Sequence, residues 1–213
     1  MRYYIADCHF FHEALNREMD HRGFASVEEM NEYMIKRWNE KVRNRDEVVI
    51  LGDFSMGNAE QTNALLDRLQ GKLFLIVGNH DNRYLRSKIF HKERFGWIYP
   101  YAELHDDGRK VVLSHYPIAC YNGQYLKNKK GEPRTYMLYG HVHDSHDERL
   151  IEQYQQMVEK TRIPDRDGGT QSLSSHMINC FCMYSDYQPL SLDEWIALTK
   201  QRLIRCQNVE DSL

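Results

Sequence analysis

The chain has 213 residues, of which 41% are hydrophobic and 28% charged, and a formal net charge of −3. That length can build one sizeable core, and the composition excludes a disordered or collagen-like chain. No stretch approaches the roughly 18 apolar residues of a membrane span, and a slightly negative chain has no global attraction for nucleic acid or an anionic membrane.

The first apolar run, residues 2–6, is short and polar-flanked, which reads as a buried strand and not a signal peptide. Five cysteines without a C-x-x-C pair point to reduced, buried thiols and a cytoplasmic location. Ser26 with Glu29 forms a capping-box pattern. Val27, Met30, Tyr33, Met34, Trp38 and Val42 then recur at helical spacing. Further strands are expected at 47–51, 73–77, 110–113 and 136–139, each ending in a polar or glycine cluster. A helix over 59–69 stops near Gly71, a candidate C-cap. A weaker strand over 97–104 is interrupted by Pro100. A polar, solvent-facing helix is expected over 147–160. It sits inside a polar excursion at about 144–175 that is read as part of one domain, 1–213. A strand over 177–184 would place Cys180 and Cys182 on one face, and Ser191 with Glu194 opens a last helix. Strands alternating with helices make this an α/β (α+β) chain.

The residues just after each of the first five strands carry the chemistry. Asp7-Cys8-His9, Gly52-Asp53, Gly78-Asn79-His80-Asp81, Ser114-His115 and Gly140-His141-Val142-His143 stand at successive strand ends. In sheets of this kind, ligands gather beyond the carboxyl ends of the strands. Asp7, His9, Asp53, Asn79, His115, His141 and His143 therefore form a candidate metal set. Seven protein donors exceed the three or four of one zinc ion but suit two ions that share a carboxylate. Nitrogen and oxygen donors without thiolate favour manganese, iron or zinc over magnesium or calcium. His141 and His143 share a face if the strand continues, whereas loop curvature sends them to different ions.

Asp-x-His, Gly-Asp, Gly-Asn-His-Asp, His and Gly-His-x-His, in this order, resemble the motifs of the calcineurin-like metallophosphoesterase superfamily. The resemblance covers residues 1 to about 143 and continues at 189–194, similar to a small bacterial and phage branch. It implies two packed β-sheets flanked by helices, and two divalent ions. Asp7, His9, Asp53 and His143 would hold one ion; Asp53, Asn79, His115 and His141 would hold the other, with Asp53 bridging. It also implies a metal-bridging hydroxide as nucleophile, His80 as general acid and Asp81 as the residue that orients His80. The reaction implied is hydrolysis of a phosphodiester in preference to a phosphomonoester. A nucleotide or nucleic-acid end is the candidate substrate, and no substrate-binding residue is assigned. The competing readings are a non-catalytic scaffold and a nucleic-acid-binding protein on the same fold. His-Val-His-Asp-Ser-His at 141–146 is similar to a metallo-β-lactamase motif, but its Asp stands one place too early. His12, Arg83, Arg86, Tyr116, Tyr121, Tyr125 and the lysines at 127, 129 and 130 are lesser candidates for substrate contact. Oligomeric state has no signature.

Overall fold

Runs of β-branched, aromatic and leucine residues form strands here because alternate side chains find a separate core on each face. In the computed structural model, which describes residues 1–165 and 168–210, β1 (Arg2–Ile5), β2 (Glu47–Ile50), β3 (Lys72–Ile76) and β4 (Phe95–Tyr99) make a parallel sheet in that order. β5 (Tyr101–Asp106), β6 (Arg109–Ser114) and β7 (Thr135–Tyr139) come next, and then a small antiparallel hairpin of β8 (Arg162–Pro164) and β9 (Thr170–Ser172). β10 (Met177–Asn179) completes a second sheet in the order β10-β7-β6-β5, parallel except for β5. The helices are α1 (Val27–Lys41), α2 (Ala59–Arg68), the single turn α3 (Asn82–Leu85), α4 (His146–Lys160) and α5 (Leu192–Glu210).

Strand alternation sorts the apolar residues into layers. Tyr4, Ala6, Val49, Leu51 and Ile76 meet Val111, Leu113, Leu138 and Ile178 between the two sheets. Tyr3, Ile5, Val48, Ile50, Leu73 and Leu75 point the other way, onto Met30, Met34 and Trp38 of α1 and Leu65 and Leu66 of α2. Trp195 of α5 closes the edge beside β1, its indole N–H donating to the Tyr4 carbonyl at 2.9 Å. The two-sheet, helix-flanked architecture is the one implied by the sequence motifs.

Several expectations need correction. The run at 97–104 is two strands in two different sheets. Pro100 lies at the joint, where a missing N–H costs no ladder bond, and the chain passes there from β4 to β5. The expected strand at 177–184 ends at Asn179. Phe181 keeps one bridge beside Ala6, and Cys182–Ser185 forms a 3₁₀ turn. Cys180 and Cys182 therefore face different cores. The excursion after His143 packs against the second sheet: Ile151 and Tyr154 of α4 lie on the cluster that holds Met137, Tyr139 and Met177. α4 is not wholly solvent-facing, because Glu148 is buried and accepts hydrogen bonds from Tyr139 and Asn179. α2 also carries a capping box, Asn58 with Gln61, which the sequence pattern did not reveal.

Among the described residues, no helix is long and apolar enough to cross a membrane.

Candidate metal centre

The loops leaving β1, β2, β3, β6 and β7 converge, because parallel strands all deliver their carboxyl ends to the same side. Asp7, His9 and His143 bring donor atoms within 4.8 Å of one another, and so do Asp53, His115 and His141. Asn79 joins the second group: its Oδ1 lies 2.9 Å from His115 Nε2 and 3.0 Å from His141 Nδ1. All seven sequence-predicted donors therefore meet, and His141 and His143 part to different groups as loop curvature allows. Asp53 stands between the groups, with Oδ2 3.6 Å from His9 Nε2 and 3.4 Å from His115 Nε2.

The backbone is bent to achieve this. Asp7, His9, Asp53, His141 and His143 all have positive φ, between 49° and 72°. Left-handed backbone costs a non-glycine residue roughly 1–2 kcal/mol, so the tertiary structure holds these five residues in conformations they would not choose alone. Gly52, Gly78 and Gly140 make room for the side chains. A Cβ at Gly52 would collide with the His115 ring, one at Gly78 with the Asp53 carboxylate, and one at Gly140 with Asp7. Gly52 also has φ +87°. Gly52→Ala is expected to destabilise the fold by about 2–4 kcal/mol, from left-handed backbone plus overpacking against a buried ring. A denaturant midpoint within error of wild type would show that the His115 pocket is not rigid.

The hydrogen-bond network supports cations in both groups. His115 Nδ1 lies 2.8 Å from the Leu51 carbonyl, an acceptor, so Nδ1 carries the proton. Its Nε2 lone pair then faces Asn79 Oδ1 and Asp53 Oδ2, which are also acceptors. His143 Nδ1 donates to Asp20 Oδ1 at 2.8 Å, which turns an Nε2 lone pair toward His9 Nε2 at 3.2 Å. His9 Nδ1 is buried without a hydrogen-bond partner. Acceptors that face one another need positive charge between them, and a mixed nitrogen–oxygen set suits a divalent transition ion. The electrostatics of the buried groups agree. Burial lowers the His115 pKa, but its hydrogen bond to Asp53 and the charges of Asp7 and Asp53 outweigh this and raise it to about 9. Burial pushes Asp53 up, yet His115 and His9 bring it down to about 2. Asp7 is raised to about 6 by burial, against the pull of His143 and His115. The carboxylates draw a proton to the place where a metal ion would otherwise supply the charge.

Two residues at the site carry no signal in the sequence. Asp20 holds His143, and Arg22, its side chain wholly buried, pairs with Asp20 at 2.9 Å. Arg22 also donates to the Asp7 carbonyl at 3.0 Å and the Cys8 carbonyl at 2.7 Å. Both residues lie just beyond a π-helical turn, Leu15–Met19, and Asp-x-Arg in a polar stretch has no spacing that marks it. A carboxylate behind a metal-binding His fixes its tautomer and raises its basicity. Asp20→Asn is expected to weaken metal binding at the Asp7–His9–His143 group about 10–100-fold, while the other group keeps its affinity. Calorimetric titration with Mn²⁺ would show one affinity falling; two unchanged affinities would remove Asp20 from this role.

His80 lies at the mouth of the site. Its backbone N–H donates to Asp53 Oδ1 at 2.8 Å, its Nε2 is 3.9 Å from Asp53 Oδ2, and its side chain is 42% exposed. The Asp81 carboxylate accepts from the backbone amides of Gly78, Asp53 and Phe54 and from the Tyr84 hydroxyl. Its hydrogen bonds run to the loops and not to the His80 ring. Asp81 thus ties the Asp53 loop to the Asn79–His80 loop, which corrects the expectation that it orients the His80 imidazole directly. Of the lesser candidates, the His12 ring is 5.6 Å from that of His9, and the Tyr116 ring is 4.4 Å from that of His141. Arg83 lies in a neighbouring groove with His12. Tyr121 is buried, and its hydroxyl accepts from the His176 amide.

Two sheets, parallel except for β5, present a split nitrogen–oxygen donor set at their strand ends, a site whose two groups would each fit a divalent ion. The chain belongs to the calcineurin-like phosphoesterase family, whose profile matches residues 3–195. It is 31% identical to the uncharacterized protein MJ1445 of Methanocaldococcus jannaschii over 209 residues, 97% of this chain and 96% of that one. It is 28% identical to the gene 66 protein of Mycobacterium phage L5 over 167 residues, 66% of this chain and 76% of the relative. Its fold is similar to the crystal structure of AQ665, a protein of unknown function from Aquifex aeolicus, with a TM-score of 0.63 and 23% identity, covering 93% of this chain and 98% of that one.

Proposed function

We propose that this family member hydrolyses phosphodiesters in preference to phosphomonoesters, using two divalent ions, manganese, iron or zinc. One ion would rest on Asp7, His9, Asp53 and His143, and the other on Asp53, Asn79, His115 and His141. Bound there, the ions would lower the pKa of a shared water toward neutrality and take the phosphoryl oxygens. The chain's own residues do the rest. Leu51 and Asp20 fix the imidazoles of His115 and His143 in the tautomers that present Nε2 to the ions. Asp81 holds the two loops that carry Asp53 and His80 in register. His80 donates a proton to the departing alkoxide.

The observation that carries this reading is the placement of His80. It belongs to neither donor group, yet it lines the same cavity as His9, Asp53, Asn79 and His143. An imidazole beside the metal groups but outside them suits proton transfer, and that matters most when the leaving alkoxide is poor. The diester preference rests on this provision of a general acid for alkyl leaving groups; both ester classes expel one alcohol, so comparison of the two classes decides between them. Turnover of bis(4-nitrophenyl) phosphate above that of 4-nitrophenyl phosphate, dependent on added Mn²⁺, is the expected result. Negligible turnover of both by the metal-loaded protein would favour the scaffold reading.

A further inference from the structure

The cavity of about 770 Å³ beside the metal groups would receive an anionic ester, yet among the described residues no lysine or arginine lines it. Phosphoryl oxygens left uncovered by the metal ions therefore need neutral donors. Outside the donor groups, most polar side chains of the wall are already engaged. The Tyr184 hydroxyl donates to Asp144 at 3.2 Å, and Ser145 caps α4 by accepting from the Asp147 amide. His21 is exposed, and its Nδ1 meets the Arg17 carbonyl at 2.9 Å, which leaves its other nitrogen as an acceptor. His80 and His12 remain.

The local backbone sets the position of His12. Phe11 has φ +67°, and the His12 amide donates to the His9 carbonyl at 3.2 Å, so the chain turns back directly after Asp7-Cys8-His9. His12 then caps the helical turn that follows, its Nδ1 accepting from the Leu15 backbone N–H at 3.2 Å. A backbone donor fixes the tautomer: Nδ1 keeps its lone pair, and Nε2 carries the proton. The half-buried ring lines the cavity and stands edge-on to the His9 ring at 5.6 Å; the His80 ring approaches the same His9 ring at 5.4 Å. Nε2 is open to solvent and has no hydrogen-bond partner among the described residues. A cap needs only an acceptor, which Asn, Asp, Ser or Thr supplies in most helices. The cap thus accounts for one nitrogen of His12. The other is a free donor on the cavity wall, beside a residue of the metal set.

We propose that His12 binds the substrate: its Nε2–H donates a hydrogen bond to a phosphoryl oxygen of the ester and keeps its proton throughout. This rests on the phosphodiester reading above and adds a residue to it. His80 serves the oxygen that leaves, and His12 serves an oxygen that stays on phosphorus. A donor aimed at an anionic oxygen strengthens as charge builds there.

Two substitutions separate the nitrogens. Asparagine keeps an acceptor for the Leu15 amide and loses the distal donor. Glutamine keeps a distal N–H but is a poor cap. His12→Asn should melt within about 2 °C of the parent, and His12→Gln about 2–4 °C lower. With both ions bound, His12→Asn should lose about 10–100-fold in kcat/KM, the worth of one hydrogen bond to a charged group. The loss should be equal on bis(4-nitrophenyl) phosphate and on a dialkyl phosphodiester, because no leaving-group proton is involved. Inorganic phosphate, titrated by calorimetry into the metal-loaded protein, should bind about tenfold more weakly. His12→Gln should recover part of both losses, and Mn²⁺ affinities should not change. The proposal is overturned if His12→Asn matches the parent in turnover and phosphate affinity, if only the dialkyl ester suffers, if Mn²⁺ affinity falls in step, or if His12→Gln is the less active of the two. Absence of turnover by the metal-loaded parent would instead remove the phosphodiester reading beneath it, and phosphate affinity would then decide on His12 alone.

Discussion

Replacing Asp53 by asparagine should loosen both metal ions at once. The reason is geometric: one oxygen, Oδ2, is 3.6 Å from His9 Nε2 in one donor group and 3.4 Å from His115 Nε2 in the other. Asp7 Oδ1 is farther from each, 3.8 Å from His143 Nε2 and 3.9 Å from His115 Nδ1, and that second nitrogen is turned to the Leu51 carbonyl. Asp7 has its own contacts, its two oxygens accepting from the His141 amide at 3.0 and 2.9 Å. Asparagine keeps the shape of Asp53 and can still accept from the His80 amide, so the loop should survive. What it loses is a negative charge, 3% exposed, that each ion would share. Removing one partner of a buried ionic arrangement costs about 3–5 kcal/mol, or about two to four orders of magnitude in affinity. Metal analysis after dialysis, with calorimetry, should show both ions weakened together and turnover reduced accordingly. Retention of two tight ions would mean that the bridge lies elsewhere; loss of only one would make Asp53 the property of a single ion.

How much of the fold and site was legible in the sequence depends on where each residue gets its constraints. The five main strands could be read because residues such as Val48–Ile50 are buried on both faces, which leaves an unbroken apolar run. The metal donors could be read because parallel strands force ligands to strand ends, and those ends carried Asp, Asn and His. The unread features depend on tertiary contacts. Pro100 looked like a weakness in one strand, whereas it joins strands of two sheets. Asn179 looked like one more strand residue, but its side chain donates to the His143 carbonyl at 2.8 Å and to Glu148. Asp20 and Arg22 act through contacts with residues 7, 8 and 143, and a local pattern holds no trace of these. The same applies to Asp81, whose position in Gly-Asn-His-Asp suggested a partner for the adjacent imidazole. Burial of its carboxylate among the amides of three separate residues gave it a different task.

His80→Ala separates metal binding from proton transfer, and so tests what distinguishes an enzyme from a metal-binding scaffold. The His80 side chain is 42% exposed and stands outside both donor groups. Its hydrogen bond to the site is made by the backbone N–H, donated to Asp53 at 2.8 Å, which alanine preserves; the ring only approaches Asp53 Oδ2, at 3.9 Å. Both ions should therefore bind with nearly parental affinity. Chemistry should then depend on the leaving group. A positioned general acid contributes about 10²–10⁴-fold, but only where the departing oxygen is basic enough to need a proton. Dialkyl phosphodiesters should lose close to that full factor. Bis(4-nitrophenyl) phosphate, whose phenolate leaves unaided, should lose about tenfold or less, because the role removed is protonation. A structural role for His80 would depress both substrates equally. Equal loss on both esters would therefore defeat the general-acid assignment, as would full activity on the alkyl ester.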